Sequence, residues 1–230
     1  MKVAISQSNY IPWRGYFDMI ASVDVFVVYD EVQYTRRDWR NRNRIKSPQG
    51  LQWLTVPVET KGSYHQKISD VQVSDHSWPE KHWKALSLAY GRAPFWSEQE
   101  NWLRTLYSEA KVDKLVDINR HFLDGILRFL NIETPVVRSS DFPGSGGQSE
   151  RLLGLCAELG ATHYLSGPAA AAYLDTSLFA ASGIEVEWMD YSNYPPYAQM
   201  WGDYVGEVSV LDMILNVGSR AQELIGGTST

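Results

Sequence analysis

Six amide, aromatic or guanidinium side chains fall within ten positions of the stretch QSNYIPWRGYF: Gln7, Asn9, Tyr10, Trp13, Arg14 and Tyr16. They follow directly on the apolar-leaning VAIS, so amides, phenols, an indole and a guanidinium gather where a strand would end. Amide and hydroxyl groups suit a ligand that is itself rich in hydroxyls or amides. A second concentration is RRDWRNRNRIK, Arg36 to Lys46, with six cations and one acid, five of the cations being arginine. Guanidinium forks match phosphate or carboxylate oxygens, which makes Arg36, Arg42 and Lys46 candidate anion contacts. The alternative for this segment is a solvated basic face.

Other residues add to the candidate set. Asp30 and Gln33 stand in YDEVQ, after a second apolar run. His82, in EKHWKALSLAY, is a possible proton acceptor near neutral pH or a half-buried structural histidine. Trp13, Tyr16, Tyr197 and Trp201 could form the walls of a pocket, although most of nine tryptophans must be core. Ser166 in HYLSG and Gln199 in YAQMW complete the expected substrate contacts, and Asp30 and His82 are the expected catalytic groups. GSGGQSERLL places glycines before a helix in which Ser149 could be the cap and Arg151 follows; it is a weak anion-site candidate or an ordinary helix start.

Several machines are absent from the sequence. There is no G-x-x-x-x-G-K-[ST], no G-x-G-x-x-G and no G-x-S-x-G. The five histidines, His65, His76, His82, His121 and His163, form no H-E-x-x-H and have no cysteine partner, so no metal site and no cofactor are expected. The lone cysteine, Cys156, lies in SERLLGLCAELG among apolar neighbours and reads as core.

The elements that must position these groups alternate. VAIS predicts a strand, WRGYFDMIASV a helix and VDVFVVYD a strand buried on both faces, which together make a βαβ unit. LQWLTVPVE and KISDVQVSD read as two further strands around a turn at TKGSYH. Pro79 to Tyr90 reads as a helix, and Pro94 to Leu130 as two more, the second opening near Asp113. TPVVRSSD, THYLSG and IEVEWMDY are predicted strands, with SLFAASG a short helix; VSVLDMILNVGSRAQELI is a helical tail, and GGTST frays beyond it. The expected fold is one α/β domain over 1–230, with a mainly parallel, Rossmann-like sheet and a helical insert at about 79–130. In such a sheet the residues after the strand ends share one edge, so the first stretch should meet DEVQYTRR.

The stretch from QSNYIPWRGYF through DEVQ to LQWLTVPV resembles the N-terminal signature of the WbqC-like family, whose members read Q-P-N-Y-x-P-W-x-G-Y-F and then D-D-V-Q-F. The likeness continues in KHWKALSLAYGRAPFW, HYLSGPAAAAYLD and YAQMWGDYVGEVSVLDMILNVG. Ser8 stands where proline is usual, and Glu31 and Tyr34 replace aspartate and phenylalanine, changes that bear on loop rigidity rather than on functional groups. The resemblance implies a setting among enzymes of O-antigen and other surface-polysaccharide synthesis.

Amides and phenols beside an arginine-rich segment fit a nucleotide-linked sugar. The expected activity is therefore a transferase moving an acyl, aminoacyl or glycosyl group to or from an activated, phosphate-bearing donor. A non-catalytic binding or scaffolding subunit is the alternative, and a nucleotidyltransferase-like enzyme a second one. The net charge of −6 argues against general nucleic-acid binding, while a tRNA-borne acyl donor stays open. No run is long enough to span a membrane, and the first residues lack a signal-peptide core, so a cytoplasmic location is expected.

Overall fold

Two short apolar runs near the start of the chain pair with each other. Lys2–Ser6 forms strand β1, Arg14–Ala21 helix α1 and Val25–Val28 strand β2. The strands are parallel, with Val3 opposite Val25 and Ser6 opposite Val28. The computed structural model describes residues 1–62, 65–144 and 146–226; Ser63 and Tyr64 of the predicted turn, Ser145 of the glycine-rich stretch, and 227–230 lie outside them.

The basic segment departs from expectation. Arg42–Ser47 is strand β3, paired antiparallel with β4, Gly50–Thr55, in a hairpin apart from the main sheet. Asn43 and Ile45 are turned inward and buried, which ties half of the arginine-rich run into a sheet. The predicted strand over KISDVQVSD is instead a single 3₁₀ turn, Ile68–Asp70, flanked by isolated bridges. Its amides at Ile68 and Ser69 pair with the carbonyls of Val32 and Asp30, so the segment's apolar residues are buried without a continuous ladder.

Three helices follow: α2, Trp78–Tyr90; α3, Trp96–Glu109; and α4, Leu115–Leu130. Then come β5, Val136–Arg138; α5, Gln148–Glu158; β6, His163–Ser166; α6, Thr176–Ala181; and β7, Glu185–Trp188. The predicted helical tail is broken into α7, Val210–Val217, and a one-turn α8, Ala221–Leu224, by a 3₁₀ turn at Gly218–Arg220. Helix α7 is buried on every side, as a helix apolar all round must be. Among the described residues no helix is long and apolar enough to cross a membrane.

The main sheet has five parallel strands in the order β5-β2-β1-β6-β7. Pleating sends Ala4, Phe26, Val28 and Leu165 into one apolar cluster with Phe17 and Ile20 of α1 and Phe122 and Ile126 of α4. Val3, Ile5, Val27 and Tyr164 join the other cluster, with Leu155 and Cys156 of α5 and Phe179 of α6. Each fully buried Val, Leu, Ile or Phe among them contributes about 1.5–3 kcal/mol. Counting sheet strands alone, the order reads third, second, first, fourth, fifth. The chain winds outward from β1, then returns to begin again on its other side, and this reversal opens a crevice at the carboxyl ends of β1 and β6.

Candidate functional site

The loop leaving β1 is built to hold an awkward shape. Ile11 has φ 38°, a left-handed conformation that a β-branched residue adopts only under constraint. The buried amide of Asn43 supplies that constraint by donating to the carbonyls of Tyr10 at 3.2 Å and Ile11 at 2.9 Å. After this bend the Trp13 indole lies over Gly15, where a Cβ would stand 2.4 Å from the ring, so any larger residue there would push the indole away. The expected meeting of the two strand ends is present. The Asp30 carboxylate accepts from the Ser8 amide at 2.9 Å, and the Tyr10 amide donates to the Trp39 carbonyl at 3.0 Å.

Between β1 and β6 lies a crevice of about 340 Å³. Ser6, Gln7 and Asn9 line it from β1, Ser166 and Gly167 from β6, and Gln148 from the start of α5; Trp13, Tyr16, Tyr29, Tyr164, Tyr173 and Tyr191 give it aromatic walls. Among the described residues its one cation is Arg40, whose guanidinium donates to the Asn9 side-chain carbonyl and fixes that amide's orientation. The Tyr16 hydroxyl donates to the Gln7 carbonyl at 2.9 Å, and burial pushes its ionisation far above the usual phenol range. Gln7, Asn9, Trp13, Tyr16 and Ser166 are thus gathered at one place.

A larger cavity of about 610 Å³ shares Asn9, Trp13 and Tyr191 with the crevice and is further lined by Arg14, Trp39, Tyr194, Tyr204 and Glu207. Trp13 meets Tyr191 edge-on at 4.9 Å and Tyr194 at 5.8 Å. The Arg14 guanidinium sits 4.4 Å from the Tyr194 ring centre.

The remaining expected residues stand elsewhere. Asp30 lines a separate cavity of about 60 Å³ with Arg120 and Arg138. Burial raises its carboxyl above the usual range, while the Ser8 contacts, Arg40 and Arg138 pull it back. Tyr10 and His82 lie in the helical part, among Trp78, Tyr107 and Phe122. His82 Nε2 is 3.1 Å from the Thr55 carbonyl, which can only accept, so Nε2 carries the proton and Nδ1 accepts from the Tyr10 hydroxyl at 2.8 Å. Burial, opposed by the Thr55 contact, lowers the imidazole to about 4. With both nitrogens engaged inside the protein, His82 lines neither the crevice nor the larger cavity.

Lys46, Tyr197 and Gln199 belong to a buried network around Asp212. That carboxylate accepts from Tyr90 at 2.7 Å, Tyr197 at 2.9 Å and Gln199 at 2.8 Å, and Gln199 accepts in turn from Lys46 at 3.0 Å. Trp201 donates to the Ala89 carbonyl at 2.9 Å. Arg36 donates to the Thr60 carbonyl, Arg42 to the Arg37 carbonyl, and Gln33 bridges to Lys67, all away from the crevice. In the glycine-rich stretch the cap is Gly147, not Ser149, whose hydroxyl accepts from the Asp175 amide. Arg151 is consumed by Glu31 at 2.9 Å and by the carbonyls of Ser139, Phe142 and Pro143. Cys156 is fully buried and its thiol pushed up to about 12. Arg40, Gln148 and the walls Tyr29, Tyr164, Tyr173 and Tyr191 carried no individual signal in the sequence, while Arg14 stood among the first six side chains without an assigned ligand.

Fold and crevice together define an α/β protein with a mainly parallel sheet and an amide-lined, aromatic-walled cleft at its strand-order reversal. The chain belongs to the WbqC-like protein family, whose model matches residues 7–224. It is 48% identical over 224 residues, 97% of each chain, to the uncharacterized protein Rv1507c of Mycobacterium tuberculosis (strain ATCC 25618 / H37Rv). No solved structure matches it.

Proposed function

We propose that this chain is a transferase of surface-polysaccharide or related biosynthesis that holds an activated, phosphate-bearing sugar in the crevice between β1 and β6. The observation that supports this reading most is the side-chain set at the strand-order reversal: the amides of Gln7, Asn9 and Gln148 and the Ser166 hydroxyl beside one oriented guanidinium, Arg40. Amides and hydroxyls match sugar hydroxyls, aromatic walls match a flat or ring-shaped body, and Arg40 matches a phosphate. No histidine or carboxylate lines this crevice among the described residues. The protein's part is then to align donor and acceptor and to stabilise the leaving phosphate, with the acceptor's proton passing to a phosphate oxygen or to water. That same want of an acid or base favours a second reading, a subunit that binds the activated sugar without turning it over.

Thermal-shift measurements against nucleotide sugars, free nucleotides, acyl donors and unactivated sugars test the proposal. A nucleotide sugar should raise the melting temperature of the wild type, and Arg40→Gln should weaken its binding by roughly 1.5–3 kcal/mol, the range for a hydrogen bond to a charged group. A wild type indifferent to every phosphate-bearing compound refutes it. Incubation of a bound donor with candidate acceptors separates the two readings.

A further inference from the structure

We propose that the 610 Å³ cavity beside the crevice is a second ligand subsite, one that takes a carboxylate on Arg14. Arg14 is 4% exposed, yet its hydrogen bonds go only to neutral oxygens: the carbonyls of Pro195 at 2.8 Å and Leu224 at 3.5 Å, and the Tyr204 hydroxyl at 3.2 Å. Its Nε–H is buried without an acceptor. Among the described residues no carboxylate stands within ion-pairing distance of it. The carboxylate of Asp18, one turn further along α1, is instead held by the Tyr194 hydroxyl at 2.5 Å.

A guanidinium taken out of water with no carboxylate in contact is costly, and stacking on the Tyr194 ring together with the longer-range attraction of Asp18 offsets only part of that cost. Helix α1 begins at Arg14 with no side-chain cap on its first turn, which adds to the positive potential at the same point. A ligand anion supplies what the protein leaves out.

The cavity also selects the anion. It holds one buried cation, and Glu207, itself paired with Arg44 at 3.2 Å, lines the same space. A phosphate carrying close to two negative charges would meet Glu207, whereas a singly charged carboxylate is matched by Arg14 alone. Trp13, Tyr191 and Tyr194 offer ring faces and edges to the rest of the ligand. The class is therefore a small carboxylic acid with a planar or apolar body. This subsite is read from the cavity's own residues and stands whatever the crevice holds; the wall shared through Asn9, Trp13 and Tyr191 puts its occupant next to the crevice's, as a co-substrate would be.

Fluorine NMR titration of the full chain with para-fluorobenzoate, para-fluorobenzamide and para-fluorophenyl phosphate tests the subsite. The acid should bind the wild type about tenfold or more tighter than the amide, the ratio that a charge-assisted hydrogen bond commands, and also tighter than the phosphate. Arg14→Gln should abolish the preference of acid over amide while leaving the amide's affinity unchanged. Because Arg14 also holds two carbonyls of the C-terminal segment, Tyr191→Leu serves as the second variant. It should weaken acid and amide by similar factors and keep their ratio. Equal binding of acid and amide, tighter binding of the phosphate, no binding of the acid, or a preference that survives Arg14→Gln would each overturn the proposal.

Discussion

Acidification should destabilise this protein through His82 more than through any feature of its surface. In the folded chain the imidazole is held at about 4 by burial, against an ordinary value of 6.5. The folded state therefore refuses a proton that the unfolded chain accepts. Above pH 6.5 both states carry neutral histidine and nothing is lost; as pH falls from 6.5 toward 4, only the unfolded state is protonated and stability drops. Between pH 7.5 and 4.5 the difference amounts to about 2.5 kcal/mol, taking 1.36 kcal/mol per pH unit of unequal protonation. The geometry says why the ring resists: a proton on Nδ1 would face the Tyr10 hydroxyl, which already donates there and accepts from Tyr107 at 2.9 Å, so the whole relay would have to reverse. His82→Gln keeps a donor toward Thr55 and an acceptor toward Tyr10 without a titrating group. Urea unfolding at several pH values should show the wild type losing about 2.5 kcal/mol more than His82→Gln across that interval. The buried carboxyls with raised values, Asp18, Asp30 and Asp212, act in the opposite direction but equally in both chains, so they cancel in the comparison. Parallel pH curves for the two proteins would refute the reasoning.

Asp212→Ala strands the hydroxyls of Tyr90 and Tyr197 in a buried site, and calorimetry should register a loss of roughly 3–5 kcal/mol. Gly218→Ala places a Cβ 2.4 Å from the Phe95 ring at a position with φ 60°, so the melting temperature should fall by several degrees, equivalent to about 1–3 kcal/mol. Cys156, with its thiol pushed up to about 12 and no exposed surface, should react with a thiol reagent at pH 8 only after denaturant is added, and Cys156→Ser should leave ligand binding unchanged.

What could be read from the sequence follows what its patterns encode. The strands VAIS and VDVFVVYD, the helix between them and the three helices before Leu130 were legible because apolar spacing reports which faces are buried, and here it agreed with local propensity. RRDWRNRNRIK hid β3 because the outward residues of the strand are arginines, while its inward ones include an asparagine, Asn43, buried for its hydrogen bonds rather than for hydrophobicity. At the site, Gln7, Asn9, Trp13, Tyr16 and Ser166 were legible as residues that follow strand ends. Tyr10 was not separable from its neighbours by type; the bend at Ile11 alone sends it to the helices and Trp13 to the crevice. Facing likewise decides between Arg40 and Arg42, two positions apart on a segment whose composition treats them alike. Lys46, Tyr197 and Gln199 carry polar groups that serve one buried carboxylate, Asp212, and nothing local announces a partner more than a dozen residues away.

The C-terminal segment that carries Tyr191, Tyr194 and Tyr204 is fastened to the beginning of the chain: Pro195 accepts from Arg14, the Asp203 carbonyl from Lys46, and the Val210 amide donates to Pro12. On the ribosome these partners are made more than a hundred residues apart, so the walls of the larger cavity arrive long after Arg14. Until they do, Arg14 and Lys46 lack the carbonyls that anchor them, and β1 waits for β6 along one edge. Closure over such sequence distances is slow, and the nascent chain presents an unpaired strand edge until β6 has been made. Competence to bind at the cavity therefore appears only once the chain has been made past Tyr204, after the strands of the sheet, and a chain stopped short of Tyr191 would carry the arginines of the site without the site.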